Sequence, residues 1–198
     1  MRNSVTAPQP ADQVSTLLDR VASLEATVDH LQSRLAAAEA RLPEDRFALC
    51  LVSGEFEKVT AALMMANTAA AQGMAVTIFF AFWGVQAVRR ESRYRGKAPV
   101  EKVLAAMVGS DISRLGSQRF NFAGLGPVVF TQLMQQKGIA TPAELLATAQ
   151  ELGVELLACT TSMDVFGLTR DELLPGVACC GASQFVEVAG RSAVSLIL

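Results

Sequence analysis

Histidine is almost missing from this sequence: His30 is alone among 198 residues. One imidazole excludes a HExxH zinc site, any centre that needs two histidines, and every Ser-His-Asp triad that does not use His30 itself. Aromatic residues make up only 6% of the chain and charged residues 18%. Seventeen Lys+Arg against nineteen Asp+Glu leave a net charge of −2, so bulk electrostatics gives no attraction to DNA or RNA and no nucleic-acid partner is expected. The opening MRNSVTAPQP lacks a secretory apolar segment and a lipidation box. Four cysteines, Cys50, Cys159, Cys179 and Cys180, make no CxxC, and the adjacent pair is badly placed for a disulfide or for joint chelation. They read as reduced thiols, so the expected location is cytoplasmic and no metal site is expected. Chemistry must then come from Cys, Asp, Glu, Ser or backbone groups.

What the chain has in quantity is apolar surface: 51% hydrophobic residues and a mean hydropathy of +0.33, in 21.0 kDa. That is one globular core with a small additional element. Residues 1–12 are polar and Pro-containing and read as a disordered lead-in. Over 13–42 the apolar residues follow a seven-residue grid. Val14, Val21, Val28 and Leu35 share one position, with Leu17, Leu24, Leu31 and Ala38 three residues later, then Leu42. β-Branched Val at a with Leu at d favours a parallel two-stranded coiled coil. Arg20 facing Glu25 and Arg34 facing Glu39 of a second copy supply opposite charges at g and e. A homo-oligomer is therefore expected, the competing arrangement being a helix folded back on its own domain. Pro43 stops the helix.

Residues 46–198 alternate between strand and helix patterns. Strands are expected at 47–53, 75–82, 154–161, 177–180 and 193–198, with a helix from Glu57 to Gln72 ended by Gly73. Thr141, Pro142 and Glu144 spell a capping box with proline at the first helical position, and Thr169 with Glu172 spells another. Between them, about 83–138 is an insertion with expected helices at 99–108 and 127–137. The fold class is α/β: a doubly wound, mainly parallel open sheet preceded by an α-helical coiled coil. Thirty residues from 59 to 88 carry no formal charge, which invites a membrane-span reading. Asn67, Thr68, Gln72 and Gly73 interrupt that run where Ala/Met composition gives way to β-branched and aromatic residues, so helix, turn and buried strand fit better.

Ligands of open α/β sheets gather outside the carboxyl ends of strands. The segments there are Ser53–Gly54–Glu55, Phe82–Trp83–Gly84 and Cys159–Thr160–Thr161–Ser162, and only the third holds a nucleophile. SGEFEK after the first strand has one glycine and puts Glu55 and Glu57 where a pyrophosphate would lie, so NAD, FAD and ATP are not expected and no cofactor is assigned. A thiol at a strand-to-helix junction faces backbone N–H groups that favour a thiolate, which makes Cys159 the candidate nucleophile. An inert core thiol would occupy the same position.

Three stretches, SGEFEKVTAALMMANTAAAQGMAVTIFFAFWG, NFAGLG and GVELLACTTSMDVFGLTRDELLPGVACCGASQF, resemble the DsrE/DsrF-like family, in its branch with a central insertion. The resemblance covers roughly 47–198 and is carried by FF-x-FWG followed about 75 residues later by AC-x-x-SMD-x-x-G. It implies a small α/β sulfurtransferase-like fold that often forms trimers or hexamers and relays sulfur as a cysteine persulfide. It also implies a sulfur carrier of the TusA or rhodanese type as partner. By position the thiol is Cys159, with Thr160, Ser162 and Asp164 as binding residues beside it and Met163 in the same motif. Two departures stand out: Thr161 where the branch commonly has methionine, and no cysteine anywhere in 83–138. The insertion is basic instead, with eight Lys/Arg against three Asp/Glu over 89–119, from Arg89 to Arg119. That suits a docking surface for an anionic sulfur compound or acidic carrier, or equally a solvated loop. Two functions remain: a persulfide-forming carrier, and a non-catalytic assembly or binding module.

Overall fold

The structure, a computed structural model, describes residues 10–39, 43–90, 112 and 125–198. It divides into two units, Met1–Leu42 and Pro43–Leu198. In the first, helix α1 runs unbroken over Pro10–Glu39, about 45 Å at ~1.5 Å per residue. The heptad residues Val14, Leu17, Val21, Leu24, Val28, Leu31 and Leu35 are 49% to 64% exposed in the single chain.

The second unit is built on five parallel strands in the order β4-β3-β2-β1-β5. They are β1 (Glu44–Leu51), β2 (Ala75–Phe80), β3 (Glu155–Cys159), β4 (Ala178–Cys180) and β5 (Ser192–Ile197). From Phe47 onward in β1, and after the first residue of β2 and β3, the central strands are buried and almost wholly apolar because both faces of the sheet are covered. On one face lies α2 (Phe56–Ala71), whose Phe56, Val59, Leu63 and Ala66 recur at helical spacing and are buried. It packs on α4 (Pro142–Glu151), where the Asn67 side-chain amide donates to the Leu145 carbonyl at 2.9 Å. On the other face Ala48, Cys50, Phe79, Ala81, Leu157, Cys159 and Cys180 cluster with Phe185 of α6 (Ala182–Arg191), Phe79 and Phe185 stacking at 4.9 Å. Helices α3 (Leu125–Gln136) and α5 (Thr160–Phe166) complete the described α-helices, and 3₁₀ turns lie at Phe82–Val88 and Arg170–Glu172.

The capping boxes form as expected. Glu144 N–H donates to Thr141 Oγ1, and Thr141 N–H donates to Glu144 Oε2 at 2.8 Å. Gly73 and Gly153 end α2 and α4 with φ of +92° and +75°, a left-handed geometry that glycine adopts without a Cβ clash. The uncharged run 59–88 resolves into helix, turn, strand and a 3₁₀ turn, and among the described residues no helix is long and apolar enough to cross a membrane.

Three expected strands end early: the 47–53 strand stops at Leu51, and the other two stop for a linked reason. The 75–82 strand stops at Phe80 and a 3₁₀ turn over Phe82–Val88 follows; the 154–161 strand stops at Cys159 and α5 starts at Thr160. Phe82 N–H leaves the ladder to donate to Ser162 Oγ at 2.7 Å, which requires α5 to begin at once and leaves Phe82 at φ 45°. Tertiary bonding thus overrides the strand propensity of Thr160 and Thr161. The expected helix at 99–108 and most of the irregular stretch after it lie outside the described residues.

Candidate functional site at the carboxyl edge of the sheet

Strand alternation decides which way each thiol points. Leu157 and Cys159, two residues apart on β3, share the face covered by α6, and Cys159 occupies the last strand position before α5. Its residue caps α5 but makes no side-chain capping hydrogen bond. This corrects the expectation that the sulfur faces the free N–H groups of the helix: the pleat directs it into the apolar cluster, where Cys159 is 6% exposed.

The other named residues divide between interior and surface. Ser162 is buried, and its oxygen holds the Phe82 N–H. Thr160 is exposed, and its hydroxyl donates to the Cys180 carbonyl at 3.4 Å, tying the start of α5 to the end of β4. Asp164 is exposed on α5. Beside α5 the 3₁₀ turn brings up Trp83, 42% exposed, with its ring 5.1 Å from Phe166. Glycine is needed where the turns after β1 and β2 meet: a Cβ on Gly84 would fall onto the Leu51 carbonyl oxygen, and one on Gly54 onto the Gln86 side chain. An apolar groove of about 360 Å³ lined by Phe47, Met64, Met65, Met74 and Val194 belongs to the opposite face and does not include Cys159.

Three of the four thiols meet on one face. Cys180 is the register partner of Cys159 across β4 and β3, and Cys50 lies in the same cluster. Burial, then the charge on Cys159, pushes the Cys50 thiol up from its ordinary 9.0. Burial, followed by Cys159, Glu155 and Cys179, does the same to Cys180. Cys179 faces the other way, with its sulfur 3.7 Å from that of Met163. Among the described residues no group of three or more His, Cys, Asp or Glu is placed to hold a metal ion.

Arg89 does not belong to a basic docking surface. It is fully buried and its guanidinium meets Glu172 at 2.9 Å, because the chain leaving the 3₁₀ turn bridges to Leu173. Glu172 also closes the capping box with Thr169. Arg90 is exposed, and the remaining basic residues of 89–119 lie outside the described residues.

Comparison with known proteins identifies the family of the second unit. The pattern that defines the DsrE/DsrF/DrsH-like family matches residues 43–197, all but the last residue of the second unit. The chain belongs to that family. A protein of Bacillus subtilis strain 168, "Uncharacterized protein YrkE", is 36% identical over 154 residues, 77% of this chain and 96% of its own. The "Sulfur carrier protein DsrE2" of Allochromatium vinosum is 28% identical over 159 residues, 79% of this chain and all of its own. Among solved structures, the ychN protein from E. coli covers 77% of this chain and 99% of its own at 12% identity and a TM-score of 0.44. The family match stops at residue 43, so α1 is an addition in front of the family domain.

Sequence reasoning missed two features of this candidate site. One is the register pairing of Cys159 with Cys180, whose signal is that ELLAC and VACC both end in cysteine within two residues of a helix start. The other is the Arg89–Glu172 link, which no local pattern announces because its partners are 83 residues apart.

Proposed function

We propose that this protein is a cytoplasmic sulfur carrier that holds sulfane sulfur as a persulfide on Cys159. The observation that carries the reading is the place of Cys159, the last residue of a central strand at the carboxyl edge of the sheet, in a domain shared with a protein named as a sulfur carrier. The Cys159 thiolate attacks the outer sulfur of thiosulfate; a new S–S bond forms, the S–S bond of thiosulfate breaks, and sulfite leaves with the electron pair. An acceptor thiolate then attacks the outer sulfur of the persulfide and Cys159 leaves as thiolate. Placement among apolar side chains keeps water from the stored sulfur. Thr160, Ser162 and Asp164 serve the same edge: Ser162 fixes the aromatic turn, while Thr160 and Asp164 present polar groups to a donor or to an acceptor of the TusA or rhodanese type. No cofactor takes part.

The test is to incubate the protein with thiosulfate, tetrathionate or polysulfide and weigh it intact. The carrier reading expects a sulfur adduct on wild type and none on Cys159→Ser. Equal adducts on both, or none on either, would reject it.

The exposed heptad seam of α1 favours a second reading, a non-catalytic assembly module in which the α/β domain keeps its fold without a relay. In that case Cys159 alkylates at the slow rate of a buried, inert thiol, whereas a carrier alkylates there faster than at Cys50.

A further inference from the structure

We infer that Cys180 is the resolving thiol of Cys159: the two close into a disulfide across β3 and β4, discharging sulfur from Cys159 as sulfide. The inference rests on the carrier reading for the loading of Cys159. It rests on register for the pair itself. Cys159 and Cys180 are level partners on neighbouring parallel strands and lie in the same cluster under α6. Neighbouring strands run about 4.8 Å apart. That is inside the ~4.4–6.8 Å Cα separation of disulfides. Thr160 holds the two strand ends together through its bond to the Cys180 carbonyl. The alternatives are placed worse. Cys179 faces the opposite side against Met163, and Cys50 is on β1, separated from β3 by the whole of β2.

The step balances without an outside oxidant. Cys180 loses its proton and its sulfur attacks the inner sulfur of the Cys159 persulfide. The Cys159–Cys180 bond forms, the persulfide S–S bond breaks, and hydrosulfide leaves with the electron pair. Two thiol sulfurs are oxidised by one level each, and the sulfane sulfur is reduced by two. An acceptor or cellular thiol later reduces the disulfide and resets the pair. This supplies within the sheet the second thiol that the cysteine-free insertion lacks.

Glu155 and Cys159 on β3 and Cys179 on β4 all hold Cys180 in its protonated form, after burial itself, and the segment from Gly181 to Phe185 leading into α6 carries no titratable side chain. Discharge is therefore slow at neutral pH and accelerates as pH rises and Cys180 ionises, so a loaded Cys159 has time to meet an acceptor.

The experiment loads the full chain with inorganic polysulfide, removes the excess, and follows sulfide release and intact mass. Wild type should release sulfide and end two hydrogens lighter than the reduced protein. Cys180→Ala and Cys180→Ser should keep the added sulfur and release sulfide at least tenfold more slowly, while Cys179→Ala behaves as wild type. In parallel, diamide is applied to unloaded wild type, which needs no substitution to fold. Trypsin places Cys159 in the peptide 138–170 and Cys179 with Cys180 in 171–191. Those peptides should emerge linked, and the link should survive Cys179→Ala but not Cys180→Ala. Sulfide release from Cys180→Ala at the wild-type rate, unlinked peptides, or a link from 138–170 to 47–58, which carries Cys50, would overturn the inference. A wild type that takes up no sulfur overturns the carrier reading and the discharge step together; linked peptides in that same sample locate the failure in loading and not in the pair.

Discussion

Ser162 shows how a residue beside a candidate nucleophile shapes a site without touching a ligand. Its oxygen satisfies the Phe82 N–H at a turn where Phe82 sits in left-handed backbone geometry. Such a conformation in a non-glycine residue costs of order 1–3 kcal/mol and persists only where surrounding contacts over-determine it. Ser162→Ala strands a donor and is expected to cost about 1–3 kcal/mol of unfolding free energy in urea titrations, with slower sulfur loading because the Trp83 turn loses its anchor on α5. Thr160→Val is expected to change stability by no more than about 1 kcal/mol, since its bond is long and partly solvated. The thiols make a pH-dependent contribution of definite sign. The folded state raises Cys180 above its ordinary value of 9.0, so the folded protein holds that proton more tightly than the unfolded chain does. Its contribution is whole below that value and is lost as pH rises above it. Unfolding free energy measured from pH 7 to 10 should therefore fall less steeply in Cys180→Ala than in wild type; parallel curves would mean the thiol is not desolvated.

At the scale of elements, the buried Arg89–Glu172 pair joins the turn after β2 to the segment before β4. Removing one partner takes the opposite charge at 2.9 Å away from a fully buried group, so Arg89→Met or Glu172→Leu alone is expected to cost up to about 3–5 kcal/mol, while the double variant recovers part of that loss. Equal, additive losses would show that the two side chains do not act as a pair. The elements local chemistry dictates were legible in the sequence. Continuous apolar runs marked β1, β2 and β3, helical spacing marked α2, and the Thr141–Glu144 box with Gly153 bracketed α4. Where a long-range contact decides, the reading was off. The ends of β2 and β3 are set by Ser162 reaching Phe82 across 80 residues, and Arg89 is drawn inside by Glu172. Cys159 was legible as the candidate thiol because strand ends are where parallel sheets place their chemistry. Its direction was not, since that follows from the pleat and from α6 covering that face.

For the whole molecule, α1 and the α/β domain contribute different things. The α1 seam leaves seven Val and Leu side chains about half exposed, with oppositely charged g and e positions at Arg20–Glu25 and Arg34–Glu39. We propose that a second copy of this helix, parallel and in register, covers the seam. Replacing Leu24 and Leu31 by Glu is expected to lower the mass measured by light scattering while leaving the spectroscopic signature of the sheet unchanged; an unchanged mass would show that the seam does not assemble subunits. Assembly and sulfur chemistry then separate, and a seam variant should load sulfur as wild type does. Whether Cys159 carries a persulfide is read by intact-mass measurement of the full chain after exposure to thiosulfate or polysulfide. Wild type is expected to gain sulfur, removable by reductant, on the peptide that carries Cys159, and Cys159→Ser is expected to gain none. A wild type of unchanged mass, or a Cys159→Ser variant that gains the same sulfur, would contradict it.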